Sequence, residues 1–277
     1  MLLQRLLGSF LNLAVHLAPA WVGGLGYRLF SSPVAPKLKP HQLAFLQTGN
    51  RLEFKLRNGT MLAGYKWGFG PKTLLLLHGW QSHAFWWRYV IPALDNSRYT
   101  IIAPDAPAHG QSGGKLLNLP IYADALEDVI QKLGPIDCIL GHSMGAFAAM
   151  LMLHRHPAAP VGALVAMAIP TTVADYVKYF GAYLGLSQKV ISACDAYFIK
   201  HLGHPAAYYQ AAHFAASLRL PGLLVHDRQD ADAPFSYAQK VHAAWPQAQF
   251  IATEGLGHNL KSKELVQEVV AWLEKMV

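Results

Sequence analysis

Gly141-His142-Ser143-Met144-Gly145 has the residue types and spacing for nucleophilic chemistry. It follows the apolar run 136–140 and opens the segment 146–153, whose apolar spacing is helical. A serine on a sharp strand-to-helix turn presents its hydroxyl to a cleft at the end of the strand. The helix start then aims N–H groups and a positive dipole end at any oxyanion forming there. Glycines at 141 and 145 fit because side chains there would collide with the flanking strand and helix.

A serine hydroxyl is a weak nucleophile at neutral pH, so it needs a base within hydrogen-bond reach and a carboxylate to orient that base. Among 14 histidines, His258 has the right setting. It lies in Glu254-Gly255-Leu256-Gly257-His258-Asn259, a glycine-flanked loop just after the last expected strand. The acid is expected after the preceding strand, in 226–234, which offers Asp227, Asp230 and Asp232. Asp230 has the best spacing ahead of Ala233-Pro234, and loop capping accounts for the other two. Two backbone donors are expected to hold the oxyanion. One is the N–H of Met144, and the other is the N–H of Trp80, in His78-Gly79-Trp80 after the apolar run 73–77. His78 is expected to brace that loop. The pairs His154/His156 and His201/His204 lack a third ligand, and no metal site is expected.

The elements that must position these groups alternate along the chain. Strand patterns fall at 51–57, 61–67, 73–77, 99–103, 136–140, 161–169, 223–226 and 249–252, with Asn58-Gly59 as a hairpin turn. Helical spacing falls at 85–94, 121–133, 146–153, 236–245 and 265–276. Strands alternating with helices predict an α/β fold, a mostly parallel sheet covered on both faces. Residues 171–219 break the rhythm and read as helical and rich in Tyr and Phe.

Taken in order, Leu77-His78-Gly79-Trp80, the stretch 103–112 (Ala-Pro-Asp-Ala-Pro-Ala-His-Gly-Gln-Ser), the 141–145 motif, the Asp230 loop and Gly257-His258 resemble the α/β-hydrolase family, in its serine esterase and lipase-like branch. The resemblance spans about residues 50–277. It implies an eight-stranded sheet, a triad of Ser143, Asp230 and His258, no cofactor, and a helical cap at 171–219. Asp105 resembles the family's loop-bracing aspartate. One departure is Ala108, which replaces a usual glycine and must accept that glycine's backbone shape. In the expected cap, Tyr176, Tyr179, Phe180 and Tyr183 form a stripe at i, i+3, i+4 and i+7. Such a stripe either packs the cap or lines an acyl pocket, which makes Tyr176, Tyr179 and Tyr183 the substrate-binding candidates.

The implied activity is hydrolysis of a small-molecule carboxylic ester with a small to medium apolar acyl or alkyl group. The same site suits thioester or carbon–carbon hydrolysis, acyl transfer or perhydrolysis, and a non-catalytic binding protein is a third class. A serine nucleophile argues against the branches that use aspartate. Fold alone does not choose among these chemistries.

Composition sets the outer limits. With 53% hydrophobic and 14% charged residues, the chain buries a large core and is not disordered. Cys138 and Cys194 form no disulfide framework, and two reduced, packed thiols are expected. The net charge of +7 is uneven: residues 1–72 carry nine basic residues against Glu53 alone, while the rest carry 14 basic and 15 acidic. No nucleic-acid motif accompanies this excess, so nucleic acid is not an expected partner. Residues 1–30 are apolar and helix-like, but Asn12, His16, Pro19 and Gly23-Gly24 interrupt any membrane-spanning run. Ala18-Pro19-Ala20 has the form of a cleavage site, yet Arg5 alone supplies the charge of a signal peptide. The favoured expectation is a retained helix in a cytoplasmic protein, which either packs on the domain or lies on a membrane face; a solvated basic flank is favoured over peripheral membrane contact through residues 1–40. The expected organisation is an N-terminal segment 1–45, a core of 46–170 and 220–277, and a cap of 171–219.

Overall fold

The computed structural model describes residues 2–34 and 36–277, and of Leu2 the backbone alone. Met1 and Ala35, both in the expected N-terminal segment 1–45, lie outside the described residues. The strands are β1 (Asn50–Lys55), β2 (Met61–Trp67), β3 (Lys72–Leu77), β4 (Tyr99–Pro104), β5 (Ile136–His142), β6 (Val161–Met167), β7 (Gly222–Asp227) and β8 (Ala248–Thr253). The α-helices are α1 (Leu2–Ala14), α2 (Pro19–Ser31), α3 (Pro40–Leu46), α4 (Leu119–Leu133), α5 (Met144–Arg155), α6 (Val173–Leu184), α7 (Gln188–Leu202), α8 (Ala211–Ala215), α9 (Phe235–Ala244) and α10 (Lys263–Met276). By its contacts the chain divides into two units: Met1–Ser32 with Thr171–Gln210, and Pro33–Pro170 with Ala211–Val277.

The larger unit is one eight-stranded sheet in the order β1-β2-β4-β3-β5-β6-β7-β8. β1 pairs antiparallel with β2, and β2 with β4; every later pairing is parallel. The apolar run of β3 explains its central place. Leu74, Leu75, Leu76 and Leu77 are all buried, as a strand covered on both faces requires. Local signals set the helix limits. The Asn118 side chain accepts the Ile121 N–H at 3.0 Å to start α4, and Gly134 ends it at φ +85°. Ser262 caps α10 in the same way, accepting the Leu265 N–H at 3.2 Å.

The segment 85–94 departs from its expected α-helix. It forms two short 3₁₀ helices, Ala84–Tyr89 and Ile91–Ala93. Pro92 is the physical reason: it has no N–H to donate, and its ring would meet the carbonyl four residues back in an α-helix.

The smaller unit joins the two N-terminal helices to α6 and α7 of the segment read as an insertion. Leu11, Val15, Val22, Val190 and Cys194 form its buried centre. Gly23 allows α2 to approach α7 closely, since a side-chain carbon there would strike the Ala193 carbonyl. Asn12, which interrupts the apolar run of α1, serves the turn between α6 and α7. Its amide donates to the Gly185 carbonyl at 2.8 Å and accepts the Ser187 N–H at 2.7 Å. Phe180 packs edge-on against Phe30 of α2, with ring centroids 5.7 Å apart. The short helix α8, expected within the insertion, lies in the larger unit. Cys138 and Cys194 are both buried free thiols, one in each unit.

Removing the Asn12 amide leaves two backbone groups of the α6–α7 turn without their partner. Asn12→Ala is expected to destabilise this turn by about 1–3 kcal/mol. The check is native-state hydrogen exchange at the Ser187 amide, which should quicken by at least about tenfold while exchange in β3 and β5 stays unchanged.

Candidate active site

The site lies in the larger unit, at the carboxyl ends of the parallel strands. Ser143 sits between β5 and α5 at φ 52° and ψ −122°, a conformation that L-residues rarely adopt. Its N–H donates to the Met167 carbonyl at 2.8 Å, which ties the turn to the neighbouring strand β6. A side-chain carbon at Gly141 would lie 2.5 Å from Ala146 Cα, and one at Gly145 would lie 2.5 Å from the Leu77 carbonyl oxygen. The two glycines therefore let the chain fold back tightly enough to lift Ser143 out of the strand.

Ser143, His258 and Asp230 form a continuous hydrogen-bonded line. The Ser143 Oγ lies 3.0 Å from His258 Nε2, and His258 Nδ1 lies 2.8 Å from Asp230 Oδ2. A carboxylate only accepts, so the ring proton sits on Nδ1 and leaves Nε2 free to accept from the hydroxyl. The Asp230 side chain is fully buried, whereas His258 keeps a partly exposed edge. Burial raises the Asp230 carboxyl. The hydrogen bond from His258 and the N–H of Ala233 outweigh burial and hold it below the usual carboxylate range. The other Asp230 oxygen, Oδ1, accepts the N–H groups of Asp232 and Ala233, each at 2.9 Å.

The two remaining aspartates of this loop are placed differently. Asp227 is buried and accepts from the Leu256 N–H at 2.9 Å and the Thr253 hydroxyl at 2.8 Å, so it anchors the loop that carries His258. Asp232 is exposed. Asp230, Asp232 and His258 have ligand atoms within 4.8 Å of one another. However, His258 Nδ1 and both Asp230 oxygens are already committed to hydrogen bonds, so this trio fits a metal ion poorly.

The loop after β3 is braced as follows. The His78 Nε2 accepts the Ala106 N–H at 2.9 Å, and its Nδ1 donates to the Gly79 carbonyl at 2.8 Å. Burial pushes His78 down to about 3, which keeps the ring neutral for this paired role. Because the Gly79 carbonyl turns toward His78, the N–H of the same planar, trans peptide, that of Trp80, turns the opposite way. A side-chain carbon at Gly79 would sit 3.0 Å from Ser143 Cβ, so this peptide passes directly against the serine. Among the described residues, no hydrogen bond takes up the N–H of Trp80 or of Met144. The Gln81 N–H donates to His109 Nε2 at 3.0 Å, fixing the next turn of the loop.

Asp105 ties two loops together, accepting the Ala84 N–H at 2.8 Å and the Gln111 N–H at 2.9 Å. Burial pushes its carboxyl up to about 6. Ala108 does adopt a left-handed conformation, at φ 61°, as its position in the motif requires.

Tyr176, Tyr179 and Tyr183 belong to the smaller unit. Tyr179 and Tyr183 are exposed there, and the Tyr183 hydroxyl accepts from the Gln4 amide at 2.5 Å. The larger unit has a cavity of its own, about 530 Å³, bounded by Gln81, Trp86, Arg88 and Lys261. Its charged walls, Arg88 and Lys261, are basic, and Phe85, Trp86 and Tyr89 give it aromatic surface as well.

One contributor, His142, was not found by reading the sequence. The His142 Nε2 donates to the carbonyl of His258 at 2.8 Å, and its ring stacks on Trp86 with centroids 4.1 Å apart. Burial pushes His142 down to about 3, so it donates as a neutral ring. The sequence carries no signal for the bond to His258, because that bond joins residues 116 apart.

The pattern of the alpha/beta hydrolase fold family matches residues 72–198, which include β3, β4 and the serine turn. The chain has the α/β-hydrolase fold. Among α/β-hydrolase relatives, the "AB hydrolase superfamily protein YisY" of Bacillus subtilis is 23% identical over 248 residues, covering 72% of this chain and 90% of that one. A pimeloyl-(acyl-carrier protein) methyl ester esterase of Sodalis glossinidius is 30% identical over 108 residues, 39% of this chain and 41% of that one. The crystal structure of the Pyrococcus furiosus esterase Pf2001 superposes with a TM-score of 0.65 at 21% identity, covering 89% of this chain and 97% of that one.

The Asp105 brace can be tested for stability. Asp105→Ala strands the Ala84 and Gln111 N–H groups, one of them fully buried, and is expected to cost about 1–3 kcal/mol. A lowered urea midpoint with an unchanged m-value would show it.

Proposed function

We propose that the chain is a serine hydrolase that cleaves a carboxylic ester through an acyl-enzyme intermediate. The observation that carries this reading is the line from Ser143 Oγ through both nitrogens of His258 to the buried Asp230 carboxylate, at 3.0 and 2.8 Å. His258 takes the Ser143 proton as the hydroxyl attacks the ester carbonyl, and Asp230 stabilises the imidazolium that forms. The negative charge gathers on the carbonyl oxygen, where the N–H groups of Trp80 and Met144 receive it. His258 then returns its proton to the departing alcohol. Water, deprotonated by the same histidine, releases the acid and restores Ser143.

The α/β-hydrolase relatives support an acyl substrate, and two of those compared are named as esterases. The part of the substrate that leaves and the length of the acyl group are read by assay. A panel of p-nitrophenyl esters of increasing acyl length measures the second directly.

The decisive experiment is active-site labelling. A fluorophosphonate probe is expected to modify the folded protein at Ser143 alone, and Ser143→Ala to remove both labelling and ester turnover. No adduct at Ser143 would sink the reading. Asp230→Asn is expected to lower kcat by roughly three to four orders of magnitude, because the wrong ring nitrogen then carries the proton. Near-normal activity in that variant would transfer the role to another carboxylate.

His142 is expected to act as a positioning residue through the His258 carbonyl. His142→Phe keeps a flat ring on Trp86 but removes the donor. Its kcat is expected to fall about tenfold, equivalent to about 1.4 kcal/mol, with KM little changed. A change in KM alone would assign the ring to substrate contact instead.

A further inference from the structure

The smaller unit displays an apolar surface that the proposed chemistry does not use. On α1 the side chains of Leu3, Leu6, Phe10 and Leu13 are exposed, followed by Leu17 in the turn and Trp21 at the start of α2. Leu3, Leu6, Phe10 and Leu13 are three, four and three residues apart, which aligns these four along one face of α1. A different side of α1 carries Leu11, and Val15 follows just past the helix end; both are buried within the unit. The helix is therefore apolar on two sides, one packed and one bare. Leu17 is 92% exposed at the α1–α2 turn, and Leu3 is 79% exposed. Phe10 and Trp21 meet edge-on at 6.2 Å, so the patch runs unbroken from one helix to the next. Clustering of large exposed apolar groups on this scale marks a contact surface.

The surrounding charge identifies the partner. Residues 1–32 hold Arg5 and Arg28, both exposed, and no acid. Arg28 stands seven residues after Trp21 on α2, on the same helix face. At the end of α1, Lys189 of α7 donates to His16 at 3.1 Å and adds a third cation. A second copy of the chain would set one cation-bearing, acid-free patch against an identical one, with no opposite charge to pair, which disfavours self-association. The most exposed side chain, Leu17, stands on a turn and not in a groove, so it suits insertion into a soft surface. Among the described residues, no helix is long and apolar enough to cross a membrane.

We propose that the α1–α2 face is a docking surface for an anionic lipid bilayer. Leu6, Phe10, Leu13, Leu17 and Trp21 enter the boundary between headgroups and acyl chains, with the helices lying in the plane of the membrane. Arg5, Arg28 and Lys189 meet lipid phosphates. This surface is independent of Ser143, so it stands or falls apart from the esterase reading.

The test is co-sedimentation of the full chain with two kinds of vesicle, one of phosphatidylcholine alone and one with phosphatidylglycerol added. The full chain is expected to pellet with the anionic vesicles, more weakly with the neutral ones, and less as salt rises. Leu6→Ser/Phe10→Ser/Leu13→Ser/Leu17→Ser is expected to reduce anionic-vesicle partitioning by more than about tenfold. Its circular dichroism and its turnover of a water-soluble ester should match the parent. The single variant Leu17→Ser, at a site with almost no packing to lose, gives the same direction if the quadruple variant fails to fold. The proposal is overturned if the parent stays in the supernatant with anionic vesicles, or if Leu17→Ser and the quadruple variant partition like the parent. It is also overturned if the patch variants convert a dimer to a monomer while vesicle binding is absent.

Discussion

The left-handed backbone at Ser143 is the constraint on which the rest of the larger unit depends. Holding a non-glycine residue at φ 52° is unfavourable by about 1–3 kcal/mol and persists only where the surroundings over-determine it. Here β5, β6 and α5 do so together. The Ser143 N–H is fixed to β6, and two glycines remove the side chains that would push strand and helix apart. The eight-stranded sheet and its buried leucines make β5 rigid enough to impose that turn. Placing the loops of Asp230 and His258 after β7 and β8 then brings His258 to the serine hydroxyl.

Much of this was legible in the sequence because the relevant signals are local. Apolar runs marked the buried strands β3, β4 and β5. The 141–145 motif, its flanking strand and helix, and the glycine-rich loop of His258 were visible for the same reason. Ser143, Asp230 and His258 are close in the fold although 28 to 115 residues separate them, so their meeting follows from strand order and not from any local pattern. What escaped reading was non-local or fine-grained. The 84–93 segment has good helical spacing, but Pro92 favours two 3₁₀ turns. The bond from His142 to the His258 carbonyl has no sequence counterpart, since a backbone acceptor leaves no trace in residue type.

The N-terminal residues show how a polar interruption can be misjudged. Asn12 and His16 spoil a continuous apolar run, and read alone they only argue against a membrane span. In the structure Asn12 completes the turn between α6 and α7, and His16 meets Lys189. Polar residues within an apolar helix thus recorded a partner far along the chain. The same helix shows the limit of the hydrophobic pattern: it marks a broad apolar arc on α1 without telling which part of it is packed.

The Asn12 contacts also bear on the order in which the protein is made. They link residues 173 and 175 positions apart, so α1 and α2 are synthesised long before α6 and α7 exist to cover them. A chain that grows from its amino end must carry those two helices with their packing faces open while the first six strands are being added. Closing so long a loop is slow compared with local helix formation, which makes assembly of the smaller unit a late event. The nascent chain therefore offers a sticky amino end during most of its synthesis. Whatever first covers it, a chaperone or a lipid surface, meets the protein before its sheet is finished.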